Sequence, residues 1–220
     1  GKQTGLRHDP DEGELLIRVR PGGSGGWQVL LRLTPRPLST RSWRVCNLEG
    51  GLNATIAAAM NQLLSQGRPA GTYLNAMCGS GTLLAEWLTA NPQASGSGFD
   101  LSSESLGCAR DNLSGFGERA QLFQADATAV PLPDASIDFI SCDPPWGDDI
   151  GTHDGNAVLY PAFLAEATRL LRPGGRLALL SHELKLTRGL LKQAAGLELL
   201  GELRVWHGGH RPAIWILQRR

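Results

Sequence analysis

Apolar positions along this 220-residue chain fall into two rhythms. From Leu52 to Leu64 they recur at the three-to-four spacing of a helix face, with Asn53 placed to cap it. Beyond that point, apolar runs of strand length alternate with stretches of helical spacing. The runs predict strands at Thr72 to Asn75, Gly96 to Asp100, Ala120 to Gln124, Ile137 to Cys142, Arg176 to Ser181, Leu199 to Trp206 and Ala213 to Gln218. Helices are predicted at Thr82 to Thr89, Ser103 to Leu113, Tyr160 to Leu171 and Lys185 to Ala195.

Such alternation requires crossover connections, and therefore a mostly parallel sheet with helices on both faces. Only Gly208 and Gly209 punctuate the link between the last two strands, so that pair is expected to be antiparallel. Ahead of the core, Glu14 to Arg20 and Trp27 to Leu33 read as a hairpin around Pro21-Gly22-Gly23-Ser24-Gly25-Gly26. The expected organisation is a β-rich appendage and linker over residues 1–48. An α/β, Rossmann-like domain over 49–220 follows, with a seven-stranded sheet ending in an antiparallel strand.

Composition narrows this picture. With 41% hydrophobic and 19% charged residues, and no apolar run near the roughly 18 residues of a membrane span, the chain reads as an ordinary globular protein without a membrane partner. Gly1 to Gly13 lacks a starting Met and any basic-then-apolar signal pattern, so no targeting segment is read there and an excised piece of a longer chain is expected. Cys46, Cys78, Cys108 and Cys142 form no Cys-x-x-Cys pair and have no His at ligand spacing, so reduced thiols in a cytoplasm, and no metal, are expected. The formal net charge of +0 is a poor footprint for capturing nucleic acid unaided. Between Leu31 and Leu48, however, Arg32, Arg36, Arg41 and Arg44 occur with Trp43 and without one acid, which fits either a solvated loop or a phosphate-contacting edge.

Two motifs carry chemistry. The first core strand runs into Asn75-Ala76-Met77-Cys78-Gly79-Ser80-Gly81-Thr82 and then a helix. Its glycines permit a tight turn and close approach of a ligand to a helix N-terminus. Neither a Gly-x-x-x-x-Gly-Lys-[Ser/Thr] loop nor a full Gly-x-Gly-x-x-Gly is present, so a nucleoside without phosphates fits better than a nucleotide. Asp100, ending the next strand, can take both ribose hydroxyls, with Leu101 beside it. Asp126, after the third strand, can accept an adenine amino proton.

The second motif is Asp143-Pro144-Pro145-Trp146 at the end of the fourth strand. An exocyclic amine on a base is a poor nucleophile because its lone pair is conjugated into the ring. Asp143 and the Pro144 carbonyl are two acceptors suited to its N–H bonds. Pro144 and Pro145 fix the backbone, and Trp146 offers a flat face for stacking. Cys142 points the other way along the strand and reads as core, while His153, His182, His207, His210, Glu86 and Trp87 read as surface or packing residues.

The glycine turn and the acids that follow it resemble the class I S-adenosylmethionine methyltransferases, which implies that cofactor, with Asp100 on its ribose, Asp126 on its adenine and the Ala127 amide on the ring. Arg41-Ser42-Trp43-Arg44, Leu52 to Met60, Asp143 to Trp146 and His210 to Leu217 together resemble the THUMP-associated tRNA guanine-N2 methyltransferases. That resemblance implies an RNA substrate, a separate N-terminal RNA-capture domain, and Arg41, Arg44, Trp146 and Arg211 as substrate contacts. This sequence departs from it at Asn75, where many methyltransferases carry an acid, and at Trp146, where Tyr or Phe is commoner. DNA adenine and protein glutamine methylation use the same acceptor motif and stay open as alternatives, as does a catalytically silent RNA-binding module.

Overall fold

Each apolar run predicted as a strand beyond Leu64 becomes a strand of one sheet. The computed structural model describes residues 5, 7, 15–34, 36–147, 151–207 and 209–220. Its seven strands are β3 (Tyr73–Ala76), β4 (Gly96–Asp100), β5 (Ala120–Gln124), β6 (Ile137–Cys142), β7 (Leu171–Ser181), β8 (Leu197–Arg204) and β9 (Ala213–Arg219). They lie in the order β5-β4-β3-β6-β7-β9-β8. Neighbours from β5 to β7 are parallel, and β9 is antiparallel to both β7 and β8.

Alternate strand residues enter opposite faces. Leu74, Ile140, Leu177 and Trp215 meet α4 (His153–Leu170) and α5 (Leu184–Gln193) in one apolar cluster. Tyr73, Phe139, Ala178 and Ile214 meet α1 (Ala54–Ser65), α2 (Thr82–Ala90) and α3 (Ser103–Leu113) in the other. Asn53 caps α1, its side chain accepting the Thr55 N–H at 2.9 Å as its position in the sequence predicts.

Two boundaries move furthest. Helix α4 begins seven residues ahead of the predicted Tyr160, because the Thr152 hydroxyl caps its polar first turn and the helix accommodates Pro161. Strand β7 begins at Leu171, which pairs with Ile137, although Pro173-Gly174-Gly175 punctuates the sequence as a loop would.

The chain divides into two units, Gly1–Thr40 and Arg41–Arg220. In the first, β1 (Ile17–Pro21) pairs antiparallel with β2 (Trp27–Leu31) in the predicted hairpin. The predicted strand start at Glu14 lies outside the described residues, as does Gly208 of the β8–β9 link.

The second unit opens with a strap over residues 41–52. Arg41 pairs with buried Glu86 of α2 at 2.6 Å, and Arg44 donates to Thr82 Oγ1 at 2.7 Å and to the Leu52 carbonyl at 2.8 Å. The Val45 and Cys46 amides both donate to Asn112 Oδ1 of α3 at 2.8 Å. One turn earlier on α3, Cys108 is disulfide-bonded to Cys46. The expectation of four reduced thiols is therefore corrected at these two positions, while Cys78 and Cys142 are free and buried. A pairing across 62 residues depends on the strap crossing α3, which no local spacing reveals.

Candidate active site

Strand order locates the site before any side chain does. From β3 the chain winds outward through β4 and β5, then returns to place β6 on the other side of β3. Ligands in open α/β sheets bind at such a switch point, outside the carboxyl ends of the strands. Ala76 of β3 and Cys142 of β6 are register partners, so the glycine turn and Asp143 leave the sheet side by side.

The turn after β3 is built for close approach. Gly79 and Gly81 have φ of +51° and +79°, a region that L side chains seldom occupy. A Cβ on Gly81 would press Leu113 and Ala109 at 3.0 and 3.3 Å, whereas one on Gly79 would meet nothing within 4 Å. The turn therefore packs on α3 at one glycine and opens a cradle at the other. No side chain caps α2, which begins at Thr82. Ser80 and Thr82 are buried beneath the turn, and the Ser80 carbonyl accepts from Asn112 Nδ2 at 2.9 Å.

Asp100 spans this cradle. Its Oδ2 accepts the Gly79 N–H at 2.8 Å and its Oδ1 the Ser102 N–H at 3.0 Å, so both oxygens are oriented and each keeps a further acceptor site. Leu101 beside it is 67% exposed, an apolar surface at the rim. Asp126 Oδ1 accepts from the amide and hydroxyl of Thr128 at 2.8 and 2.7 Å, and those bonds hold its carboxyl below the usual range. Ala127 is buried behind it.

Asn75 turns inward rather than toward the cradle. Its Oδ1 accepts the Leu84 N–H and its Nδ2 donates to the Ser141 and Ala76 carbonyls, each at 3.3 Å, tying β3 to β6 and α2. Cys78 is buried against Gly98, and desolvation raises its thiol pKa, with the Asp100 carboxylate adding to the effect. Arg41 and Arg44 likewise point into the protein through the strap.

On the other side of the switch point, desolvation pushes Asp143 up to about 7, opposed by the Trp146 indole N–H that it accepts at 3.0 Å. The Pro145 carbonyl accepts the buried Tyr160 hydroxyl at 2.9 Å, which anchors the rigid turn to α4. Gly147, at φ +91°, ends the turn where a Cβ would strike His153 at 2.7 Å. A carboxyl that titrates near neutrality can accept an amine's N–H, and a nucleoside cradle lies one strand away. That arrangement suits transfer to an amino nitrogen.

Residues 41–213 match the UPF0020 family, RMKL-like, methyltransferase domain. The chain belongs to this family. Among its relatives, the tRNA (guanine(6)-N2)-methyltransferase of Thermus thermophilus is 35% identical over 208 residues, covering 92% of this chain and 60% of that protein. The U6 snRNA (guanine-N(2))-methyltransferase THUMPD2 of Bos taurus is 36% identical over 135 residues, covering 60% of this chain and 26% of that protein. The crystal structure of TrmN from Thermus thermophilus superposes with a TM-score of 0.79 at 32% identity, covering 96% of this chain and 62% of that one. The chain thus spans about three fifths of the bacterial relative and about a quarter of the bovine one.

This methyltransferase domain also gathers histidines that the sequence alone reads as surface or structural residues. Trp146 is ringed by His182, His207 and His210, with centroid separations of 5.9, 5.7 and 6.1 Å. His182 follows β7, the sheet neighbour of β6, so sheet order was the signal that could have found it. His207 and His210 sit in the β8–β9 turn, brought alongside because β9 runs backward. Burial lowers the His207 pKa, and His210 lowers it further. His153 bonds to Glu183. Among the described residues, no group of three or more His, Cys, Asp or Glu is arranged to hold a metal ion. A depression of about 680 Å³ at the opposite, amino edge of β3 and β4 is lined without any carboxylate, histidine or cysteine, and so lacks the groups this chemistry uses.

Proposed function

We propose that this domain methylates the exocyclic N2 of a guanosine in RNA, with tRNA the favoured substrate and S-adenosylmethionine the methyl donor. The observation that carries the reading is Asp143, an acceptor held by Trp146 beside a cradle that fits a phosphate-free nucleoside. The names of the guanine-N2 relatives support the choice of base and of RNA.

S-adenosylmethionine, when bound, supplies a methyl group already activated by its sulfonium. Gly79, Gly81 and Ser80 with Cys78 and Thr82 would hold its amino-acid part, with Asn75 and Ala76 bracing the turn from below. Asp100 would take its ribose, with Leu101, Asp126 and Ala127 around its adenine. Asp143 and the Pro144 carbonyl accept the two N–H bonds of the amine, drawing its lone pair out of conjugation. As the N–C bond forms, the donor's S–CH3 bond breaks and its sulfur leaves as a neutral thioether, while the nitrogen gives up one proton, which Asp143 would receive. Pro144 and Pro145 keep these oxygens in place at low reorganisation cost. Trp146 stacks the base.

Capture of RNA is proposed to need a basic surface beyond this chain's own, because its formal charge is zero. No described helix is long and apolar enough to cross a membrane. A cytoplasmic location is proposed on the RNA substrate alone, since the argument from four reduced thiols fails at Cys46 and Cys108.

The test is methylation of an unmodified tRNA transcript with labelled donor, followed by nucleoside mass spectrometry. N2-methylguanosine is expected. N6-methyladenosine in a DNA duplex, or N5-methylglutamine in a peptide, with none in the transcript, would replace the substrate. A protein that gives no heat in a calorimetric titration with S-adenosylmethionine would be a silent binding module.

A further inference from the structure

The β8–β9 turn has two chemically different faces. His207 and His210 exchange backbone hydrogen bonds at 3.1 and 2.9 Å, and the Val205 amide donates to the Pro212 carbonyl at 3.0 Å. Side chains alternate faces along each arm of such a hairpin. Val205, His207, His210 and Pro212 therefore share the inner face, where the two imidazoles meet Trp146. Trp206 and Arg211 oppose each other on the outer face, with the guanidinium carbon 5.5 Å from the indole centroid.

Trp206 is 72% exposed, on a polypeptide arm that contains no acidic residue after Glu202. Arg204, on the strand leading in, donates to the Arg211 carbonyl and braces the pair from behind. A broad π-surface with a guanidinium laid over it, on a stretch bearing positive charge only, is complementary to a nucleobase and its phosphate. The same turn's inner face borders the Asp143 motif, so whatever stacks on Trp206 lies one hairpin thickness from the reacting base, on the order of 10 Å.

Resting on the guanosine reading above, we propose that the β8–β9 turn is a blade between two nucleotides of the substrate. The target guanosine lies on the inner face against Trp146, while the base of the adjacent unpaired nucleotide stacks on Trp206 and its phosphate meets Arg211. The inner histidines hold the blade against Trp146. The substrate class that follows is a guanosine in a single-stranded or opened RNA segment, because a neighbour stacked within a duplex has no free face to offer Trp206.

The experiment compares the wild-type protein with Trp206→Ala, Trp206→Phe and Arg211→Gln, using an unmodified tRNA transcript and versions carrying an abasic nucleotide on either side of the methylated guanosine. Trp206→Ala is expected to raise the KM for the transcript about tenfold, the size of losing one base–aromatic stack, with unchanged affinity for S-adenosylmethionine. Trp206→Phe recovers most of the loss. Arg211→Gln raises KM and flattens its salt dependence. An abasic neighbour on one side costs the wild type the same factor and adds nothing in Trp206→Ala. Unchanged KM in Trp206→Ala, or abasic and Trp206→Ala penalties that multiply, overturns the blade. If the wild type methylates guanosine but ignores both neighbours, this inference alone fails; if no guanosine in any transcript is methylated, the guanosine reading fails and the blade with it.

Discussion

At Asp143, burial and the Trp146 indole N–H act in opposite directions on one carboxyl group, and burial prevails. With its pKa lifted to about 7, the folded protein binds this proton more tightly than the unfolded chain does. Stability is therefore drawn down as pH rises from the ordinary carboxylate range to about 7, while acceptor strength for an amine N–H rises over the same interval. Asp143→Asn, which cannot ionise, should raise the Tm more at pH 8 than at pH 4.5, and its kcat/KM should lose the rise through neutrality that the wild type shows. A wild-type profile flat from pH 5.5 to 8.5 would contradict the assigned role. Asp100 predicts the opposite tolerance. Each of its oxygens already receives a backbone N–H, so an amide in either orientation sets an NH₂ against a donor. Asp100→Ala should weaken S-adenosylmethionine binding more than tenfold in calorimetry, and Asp100→Asn should do no better. Both carboxylates stood out in the sequence because Asp100 ends a strand and Asp143 directly follows one, at the carboxyl edge of the sheet. Asn75 was legible as a motif position, yet its burial between β3, β6 and α2 was not, since facing is set by packing rather than by order along the chain.

The strap over residues 41–52 is the element least visible beforehand. Its arginines read as either a solvated loop or a phosphate edge because they occur without acids in the sequence, but Glu86 lies 45 residues ahead and reaches Arg41 only once α2 is in place. Strands and helices announce themselves through local period, whereas a strap is defined by the distant groups it satisfies. The Cys46–Cys108 bond closes a separation of 62 residues and should contribute about 4 kcal/mol by restricting the unfolded chain. Reduction with dithiothreitol and the Cys46→Ser/Cys108→Ser double variant should lower the Tm by the same amount in scanning calorimetry. Alkylation of denatured, unreduced protein should label two thiols, and labelling of four would remove the bond. Because Asn112 holds both the Cys46 carbonyl and the Ser80 carbonyl, at 3.0 and 2.9 Å, loosening the strap should also relax the glycine turn.

On the scale of the whole molecule, alternation of strand and helix was enough to predict a parallel sheet with a reversed final strand, and the switch point then follows from the strand order. What it could not supply was where the final strand inserts. β9 lies between β7 and β8, and its Ala213 to Leu217 are buried. That placement is what carries the β8–β9 turn to the site. It also governs how the protein is born. During synthesis β8 leaves the ribosome before the strand that pairs with it, and must wait with both edges open until Ala213–Arg219 follows. β8 can join the sheet, and the imidazoles can gather around Trp146, only when the last of these strands has emerged. A chain interrupted before Ala213 has β8 without its partner and β7 with an open edge, aggregation-prone and without a finished site.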